Sequence, residues 1–344
     1  MQTGEHYHIG RIKKIEEKSI SLAANSIYSK IKTFSVKDIN GLSLGDFVLI
    51  NAEGEVHALW RTNNKDNIIF ATNVCNEFCR FCPQPREGDV YSNDSINKFL
   101  ISSLHRNDIT FVTITGGEPT ILGTGLSDLI FALIKKNPKC SIAILSNGME
   151  FDNESYARDI VKVGKSQTRF CIAIHSDAPS IHDSITGVIG SFDRTALGIL
   201  NLQRFNAEIE IRVVLNRLNT ERLQNIATSI SMNFPFVNHV AFMGLEMHSN
   251  AAENAEAVWI NPPDYMKDLS SALYILKCRN IPASIYNLPY CLVLPALWPY
   301  LRDSISSWKK TYLPICESCS KKLSCPGLFG TSAFQSPSII SYKY

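Results

Sequence analysis

The sequence predicts an α/β fold built on a parallel β-sheet. Between Asn67 and Glu246 the chain alternates short apolar runs with stretches of helical periodicity, which is the pattern of parallel βαβ units. Most of these runs are nearly continuous in apolar residues, as expected of parallel strands buried on both faces. The predicted strands are Ile68–Thr72, Phe111–Thr115, Ile142–Ser146, Phe170–His175, Ile209–Leu215 and Val240–Leu245. Helices are predicted at Asp94–His105, Gly125–Lys135, Glu154–Val163, Phe192–Phe205 and Thr220–Met232.

The composition is typical of an intracellular enzyme. With 344 residues, of which 45% are hydrophobic and 19% charged, the chain can bury a full core. The net charge of +2 gives no indication of nucleic-acid or membrane binding. No apolar signal-peptide core follows Met1, and no run approaches the ~20 apolar residues that span a bilayer. The ten cysteines have clustered spacings that indicate metal ligation in a reducing compartment, so a cytoplasmic location is expected.

Three regions are predicted along the chain, with boundaries at residues 1–66, 67–262 and 263–344. The first contains short apolar runs separated by turn signals such as Asn40-Gly41 and Glu53-Gly54, and is expected to be a β-rich module. Such a module could bind a peptide along an open edge strand. Alternatively, it could cap the bottom of the main domain.

A cysteine-rich loop follows the first strand of the main domain. Cys75, Cys79 and Cys82 are spaced Cys-x3-Cys-x2-Cys, and iron–sulfur clusters are held by cysteine thiolates in short loops of this kind. The loop has no fourth cysteine. Catalytic zinc sites keep one coordination position open, and by analogy an incomplete thiolate set indicates an iron site that binds a further ligand.

This loop resembles the signature of the radical S-adenosylmethionine (SAM) superfamily, including the aromatic residue Phe81 before the third cysteine. The resemblance implies a partial (β/α)6 barrel and a [4Fe–4S] cluster on the three cysteines, whose open iron chelates the amino and carboxylate groups of SAM. It also implies reductive cleavage of SAM to methionine and a 5′-deoxyadenosyl radical, which abstracts hydrogen from a substrate. A zinc knuckle or a disulfide-prone loop is the alternative.

Polar residues follow the next three predicted strands, and reactive groups of βα barrels lie at such strand ends. Two glycines after the second strand would allow the backbone to approach a ligand closely, and a carboxylate follows them. This turn resembles the Gly-Gly-Glu-Pro motif of the superfamily, which implies binding of the SAM amino group. By resemblance, the residues after the third and fourth strands are expected to contact the SAM ribose and carboxylate. Alternatively, the residues after the third strand could form only a turn. The predicted cofactor-binding residues at these ends are Gly116, Gly117, Glu118, Ser146, Asn147, His175 and Ser176, together with Phe81.

The fifth and sixth strands add further candidates. Arg212 lies within the fifth strand, which ends at Asn216, and both are predicted to contact the cofactor. An inward Arg212 would pair with the SAM carboxylate, but the sequence does not decide its direction. Glu246 and His248, after the sixth strand, are candidate catalytic residues that would accept a proton or contact the substrate. They could equally be rim residues.

The C-terminal region contains a second set of cysteines after a predicted helix at Tyr265–Lys277. Four thiols are enough to complete one tetrahedral or cluster site, and this set comprises Cys291, Cys316, Cys319 and Cys325. The spacing resembles the SPASM/twitch extensions of peptide-modifying radical SAM enzymes, which implies one auxiliary [4Fe–4S] cluster. Zinc is the alternative occupant and Cys278 the alternative fourth ligand, whereas Cys140 and Cys171 are expected to be buried thiols.

A narrower resemblance is to the maturase of His-Xaa-Ser repeat peptide systems, specifically the C member of a pair of radical SAM proteins. It rests on residues 73–76, 82–85, 291–295, 304–312 and 316–329. It implies a ribosomally made precursor peptide as substrate, a second radical SAM protein as partner and an external electron donor. The alternatives are radical chemistry on a small molecule or nucleotide, and a non-catalytic protein that carries a cluster for its partner.

Overall fold

The computed structural model describes residues 8–23, 32–39, 41–85 and 93–343. Its main element is a seven-stranded parallel sheet with the strand order β12-β11-β10-β9-β8-β7-β6, so β6 and β12 are its two edges. The strands are β6 (Asn67–Phe70), β7 (Phe111–Thr115), β8 (Ser141–Ser146), β9 (Thr168–Ala173), β10 (Glu208–Val214), β11 (His239–Met243) and β12 (Ala283–Tyr286). This open parallel sheet confirms the predicted α/β class and is consistent with a partial barrel.

Helices follow the strands. They are α1 (Asp94–Ser103), α2 (Thr124–Lys136), α3 (Glu154–Gly164), α4 (Pro179–Thr186), α5 (Ser191–Arg204), α6 (Leu223–Asn233), α7 (Asn250–Glu253), α8 (Ala255–Val258) and α9 (Met266–Cys278). Helices α4, α7 and α8 contribute to a separate cluster with Phe81 and Met247, whereas the other helices pack on one face of the sheet. Alternate strand residues such as Ile144, Ile211 and Phe242 enter the core shared with these helices. Because side chains alternate along a strand, the intervening residues lie on the opposite face, where the polar residues of β10 and β11 are found.

The six predicted strands are all present, with ends that differ by at most two residues. The seventh, β12, pairs in parallel with β11 and extends the sheet past residue 262, the predicted end of the barrel. The sequence did not indicate β12 because Ser284 interrupts its short apolar run, which lies between Pro282 and Asn287. Such a run does not distinguish a strand from a loop.

The N-terminal module is β-rich, as predicted. Its antiparallel sheet has the order β3-β2-β1-β4-β5, formed by β1 (His8–Glu16), β2 (Ser19–Ala23), β3 (Lys32–Ser35), β4 (Phe47–Ile50) and β5 (Val56–Trp60). The module has its own small core around Ile20 and Val48, but Phe47 and Trp60 are buried in the core of the main domain. An ion pair of 2.9 Å between Arg11 and Asp108 adds a polar contact between the two parts. The turn signal at Asn40 lies outside the described residues.

After β12 the chain has little regular structure. A two-stranded ribbon of β13 (Lys310–Thr311) and β14 (Leu328–Phe329) packs near the barrel mouth, and short helical turns carry the cysteines. Across the described ranges, none of the helices has the length and apolar character needed to cross a membrane.

Candidate active site

The cysteine loop and the glycine turn are joined by main-chain hydrogen bonds at the carboxyl ends of β6 and β7. The amide of Gly117 donates to the carbonyl of Thr72 at 2.7 Å, and the amide of Glu118 donates to the carbonyl of Val74 at 2.6 Å. A Cβ atom at Gly117 would lie 2.1 Å from the Val74 oxygen, and one at Gly116 would lie 2.3 Å from the Thr72 oxygen. The glycines are therefore required by close approach to the cysteine loop, whereas the sequence had suggested close approach to a ligand.

The three thiols of the loop influence one another electrostatically and are all partly buried. Burial raises the pKa of Cys75 to about 12 and raises the pKa of Cys79 and Cys82 as well. The negative charge of Glu77 raises the pKa of each of the three thiols further. Without a metal these thiols would remain protonated at neutral pH, and a coordinated cation is what would convert them to thiolates.

No three or more His, Cys, Asp or Glu side chains in the described ranges are grouped so that they could hold a metal ion. A [4Fe–4S] cluster is held differently from a single ion, because each of its irons takes its own cysteine thiolate. The donor chemistry of Cys75, Cys79 and Cys82 fits three irons of such a cluster. All ten cysteines are free thiols, so no disulfide competes for these sulfurs.

Glu118 is a buried carboxylate that braces the end of β7 against the end of β8. It accepts hydrogen bonds from the Thr120 amide (3.0 Å), the Thr120 hydroxyl (2.6 Å), the Ser146 hydroxyl (2.8 Å) and the Asn147 amide (2.7 Å). A carboxylate offers about four acceptor positions, so these donors saturate it. Burial raises the pKa of Glu118, while the donors favour its ionised form. Glu118 therefore has no free acceptor position for the predicted contact with SAM.

Ser146 and Asn147 lie beside the glycine turn and the cysteine loop, where the structure pairs them with protein groups. The Ser146 hydroxyl accepts from the amide of Gly148 at 2.9 Å in addition to donating to Glu118. The Asn147 side chain donates to Asn76 Oδ1 at 2.6 Å and accepts from the amide of Met149 at 3.0 Å. These bonds hold the end of β8 to the cysteine loop.

Glu77 is a functional candidate that the sequence analysis did not single out. Its side chain is only 9% exposed, and its Oε2 accepts from the Cys79 thiol at 3.3 Å. Its Oε1 is buried without a hydrogen-bond partner among the described residues. Burial raises the pKa of Glu77 to about 7. An acidic residue between the first two cysteines was the available signal, but its burial could not be read from the sequence.

Phe81 and His175 connect the cysteine loop to the end of β9. Their rings meet edge to face with centroids 5.0 Å apart, and His175 also stacks on His182 at 5.5 Å. Burial, with a smaller contribution from His182, lowers the pKa of His175 to about 3, so its ring is neutral at physiological pH. Its Nδ1 is buried without a partner in the described structure. The neighbouring Ser176 hydroxyl accepts from the amide of Ala178 at 3.2 Å.

Arg212 lies on the sheet face opposite the helices, within a polar network across β10, β11 and β12. Its Nε donates to Glu210 Oε1 at 2.7 Å, and Glu210 Oε2 lies 3.0 Å from His239 Nδ1. His239 Nε2 lies 2.9 Å from the Ser284 hydroxyl. The structure thus gives Arg212 an acidic partner within the protein. Asn216, also predicted to contact the cofactor, donates from its side-chain amide to the Val214 carbonyl at 2.9 Å.

Glu246, predicted to be catalytic, anchors the C-terminal region at the barrel mouth. Lys309 Nζ lies 3.1 Å from both of its carboxylate oxygens, and Thr331 also donates to it. The amide of the adjacent Met247 donates to the Ser332 hydroxyl, and the Met247 carbonyl accepts from the Ala333 amide. His248 is partly buried beside this contact, and its backbone amide donates to the Glu246 carbonyl. A proton-accepting role for Glu246 would require release of Lys309.

The second set of cysteines borders one pocket, and the auxiliary site there stays a prediction. Cys291, Cys316, Cys319 and Cys325 all border it, with Tyr312, Tyr342 and two lysines at its walls. Burial raises the pKa of Cys291 and Cys325, and the neighbouring thiols raise it further. Cys278 is exposed at the end of α9 and does not line the cavity, whereas Cys140 and Cys171 are buried as predicted.

The comparisons with known proteins agree with this architecture. Residues 69–230, just under half of the chain, match the family model of the radical SAM superfamily. The structure of Streptococcus suis SuiB bound to S-adenosylmethionine aligns with a TM-score of 0.51 and 13% identity, covering 66% of this chain and 51% of SuiB. SuiB bound to the precursor peptide SuiA aligns with a TM-score of 0.51 and 14% identity, covering 66% of this chain and 49% of SuiB.

A third structure, native anSMEcpe with bound AdoMet, aligns with a TM-score of 0.50 and 17% identity over 63% of this chain and 62% of anSMEcpe. At these identities the likeness shows a shared fold. The chain spans about half the length of SuiB. No significant match was found among curated protein sequences.

Proposed function

We propose that this chain, in which residues 69–230 form a radical SAM superfamily domain, cleaves SAM reductively to modify a ribosomally made precursor peptide. The observation that carries this proposal is the incomplete thiolate set of Cys75, Cys79 and Cys82, held by main-chain bonds against the Gly116–Glu118 turn. Three cysteines leave one iron of a [4Fe–4S] cluster open to a ligand, which is the arrangement that SAM cleavage needs.

The residues of the site have distinct roles in this proposal. When bound, the cluster supplies the electron that cleaves SAM, and the protein supplies binding and orientation. The three thiolates hold the iron, and the turn at Gly116 and Gly117 fixes the loop that carries them. Phe81 and neutral His175 exclude water beside the third cysteine, because both side chains are buried and in contact. Exclusion of water protects a reactive intermediate from side reactions.

A peptide substrate is proposed from two lines of support. SuiB, which shares the fold, was crystallised with a precursor peptide. The N-terminal module offers β3 and β5 as edge strands, and an extended peptide can add to such an edge through main-chain hydrogen bonds. A His-Xaa-Ser-type precursor, a second radical SAM protein and an external electron donor complete the proposed system.

The C-terminal cysteines are proposed to hold one auxiliary [4Fe–4S] cluster. Four thiols around one cavity can supply a ligand to each of its four irons. Zinc is the alternative occupant, although the four thiols are not grouped in the described structure to hold a single ion, and metal analysis separates the two. The bonds of Lys309, Thr331 and Ser332 with residues 246–247 connect this region to the mouth of the barrel.

Anaerobic purification followed by incubation with SAM and dithionite tests the proposal. The wild-type protein should contain iron and labile sulfide and should release 5′-deoxyadenosine, whereas Cys79→Ala should release none. Cys140→Ala, which changes a buried thiol outside both clusters of cysteines, is the matched control and should remain active. Formation of 5′-deoxyadenosine by Cys79→Ala would contradict the proposal.

Co-expression with a His-Xaa-Ser precursor peptide, followed by mass spectrometry of the peptide, tests the substrate class. A mass change that depends on Cys79 is the expected result. Production of 5′-deoxyadenosine with an unchanged peptide would retain radical SAM chemistry and exclude this substrate.

A further inference from the structure

Most hydrogen-bond donors of Arg212 are unused on the sheet face opposite the helices, here called the inner face. A guanidinium has five N–H donors, and Arg212 uses its Nε–H to donate to Glu210 Oε1 at 2.7 Å. Its two terminal nitrogens donate to no described residue, and both are reached by solvent. The side chain is 23% exposed, so a ligand can contact it from the inner face. Arg212 therefore retains two nitrogens for an acceptor.

The neighbours of Glu210 hold Arg212 in this orientation. Glu210 Oε2 lies 3.0 Å from His239 Nδ1, and His239 Nε2 lies 2.9 Å from the Ser284 hydroxyl. Glu210 and Ser284 are 2% and 4% exposed, so the contacts that fix the Nε side of the guanidinium are buried. Because the guanidinium is planar, fixing Nε also fixes the direction of the two terminal nitrogens. Together they form a fork that matches the two oxygens of a carboxylate.

The strands beside β10 leave space around this fork. Arg212 is in register with Ala173 of β9 and Ala241 of β11, and register partners on parallel strands lie side by side on one face. Both neighbours carry only a methyl group, so neither covers the guanidinium. Burial raises the pKa of Cys171 to about 11 and also raises the pKa of Tyr286, so both are neutral at physiological pH. Glu210 is thus the one anion among the described groups that interact electrostatically with Arg212.

The order of the strands separates Arg212 from the expected position of the SAM carboxylate. That carboxylate is expected at the open iron of the cysteine loop, which follows β6. β10 lies four strands away from β6, and neighbouring strands are about 4.8 Å apart, so the two positions are roughly 19 Å apart along the sheet. This separation is much longer than an arginine side chain and favours an acceptor other than the SAM carboxylate.

We propose that the two terminal nitrogens of Arg212 bind a carboxylate of the peptide substrate on the inner face of the barrel. This inference rests on the proposed function, because it assumes that a peptide enters the barrel. The carboxylate belongs either to an acidic side chain or to the peptide C-terminus, since both present two oxygens to the fork. Its capture sets the register of the peptide and thereby selects which peptide residue faces the cysteine loop.

Peptide affinity measured without SAM tests this inference. Calorimetry on anaerobically purified protein compares three synthetic three-repeat peptides: amidated His-Glu-Ser repeats, amidated His-Gln-Ser repeats, and His-Gln-Ser repeats with a free C-terminus. The wild type should bind at least one of the two carboxylate-containing peptides about 10- to 100-fold more tightly than the amidated glutamine peptide, which is the range for a hydrogen bond to a charged group. The peptide that is preferred identifies the source of the carboxylate.

Variants of Arg212 should remove this preference. Arg212→Lys keeps a cation beside Glu210 but lacks the planar fork, so the preference should decrease by about 3- to 10-fold. The double variant Glu210→Gln/Arg212→Gln leaves neither charge unpaired and should bind the three peptides equally. Arg169→Gln is the matched control, because Arg169 lies on the adjacent strand β9 and already pairs with Glu208 at 2.7 Å. This control should retain the full preference. If the double variant does not fold, Arg212→Lys decides the result.

Equal affinity of the wild type for the three peptides, or a preference that survives in the Arg212 variants, would overturn the inference. The dissociation constant of SAM on reconstituted protein should be the same in the wild type and these variants. Weaker SAM binding by the variants would overturn the inference, because Arg212 would then serve the cofactor. A wild type that forms 5′-deoxyadenosine but does not distinguish the peptides would refute only the role of Arg212. Absence of 5′-deoxyadenosine would refute the proposed function itself.

Discussion

Replacement of Glu210 by glutamine should strongly destabilise the barrel. Glu210 is 2% exposed and bonds to both Arg212 and His239. Burial by itself would raise the pKa of Glu210, but the bonds and charges of His239 and Arg212 outweigh it and lower the value from 4.5 to about 2. A decrease of this size corresponds to about 3 kcal/mol of stabilisation at neutral pH. The substitution would also leave Arg212 without its acidic partner. Breaking a buried ion pair in this way lowers the free energy of unfolding by a similar amount, about 3–5 kcal/mol.

The pH dependence of this contribution follows from the direction of the shift. Because the folded-state pKa lies below the unfolded value, the stabilisation is complete above about pH 4.5 and is lost as the pH falls toward 2. The difference in free energy of unfolding between wild type and Glu210→Gln should therefore decrease from about 3 kcal/mol at pH 7 to about 1.5 kcal/mol at pH 3.

Urea-induced unfolding followed by circular dichroism measures this difference. Glu208→Gln is the matched control, because Glu208 lies on the same strand and pairs with Arg169 at 2.7 Å, but the two side chains are 39% and 48% exposed. Exposed pairs contribute about 0–1 kcal/mol, so the control should change little. If Glu210→Gln cost no more than Glu208→Gln, or if its cost did not depend on pH, the interpretation of Glu210 as a paired buried anion would be wrong.

Three further predictions concern the loop, the mouth and the second cysteine set. Gly117→Ala should cost about 1–3 kcal/mol and reduce iron uptake, because its Cβ would lie 2.1 Å from the Val74 oxygen; urea unfolding and iron analysis measure both effects. Lys309→Met should cost about 1–3 kcal/mol in urea unfolding, because Glu246, 11% exposed, would lose its cation. Cys316→Ala should lower the iron content while the thiols of the first loop still support formation of 5′-deoxyadenosine.

Each of these three variants has a control variant. Gly125→Ala in α2 should be neutral or stabilising by about 0.5–1 kcal/mol, because the nearest atom to its Cβ is 3.4 Å away and alanine favours helix. Lys310→Met should change stability by less than about 1 kcal/mol, since its partner Asp303 is 60% exposed. Cys278→Ala should leave the metal content unchanged, because Cys278 does not line the cavity. A control that behaved like its test variant would contradict the corresponding prediction.

Local patterns predicted the architecture because strands and helices are encoded over a few residues. Continuous apolar runs located β6 to β11, and the spacing of Cys75, Cys79 and Cys82 identified the loop after β6. The hydrogen-bond partners of the polar residues were not predicted in the same way. Glu118 is saturated in part by Ser146, which lies 28 positions further along the chain, and Glu246 is paired with Lys309, 63 positions away.

Such partners depend on tertiary packing, and a single sequence does not report it. The same limit applies to Glu77, whose position beside Cys79 was visible but whose burial and unpaired oxygen were not. Strand-end residue types therefore predicted where a site would lie, and that site stays a prediction, whereas the hydrogen bonds that these residues make with one another could be read only from the structure.

The contact of Gly116 and Gly117 with the carbonyls of Thr72 and Val74 has a consequence for tolerance to mutation. Close contacts between peptide groups set the spacing between the cysteine loop and the adjoining turn, and peptide dimensions are the same for every amino acid. Surrounding side chains can thus diverge widely while this spacing persists. A saturation library should accordingly tolerate many replacements at the partly exposed Val74, whose carbonyl makes the contact, and almost none at either glycine.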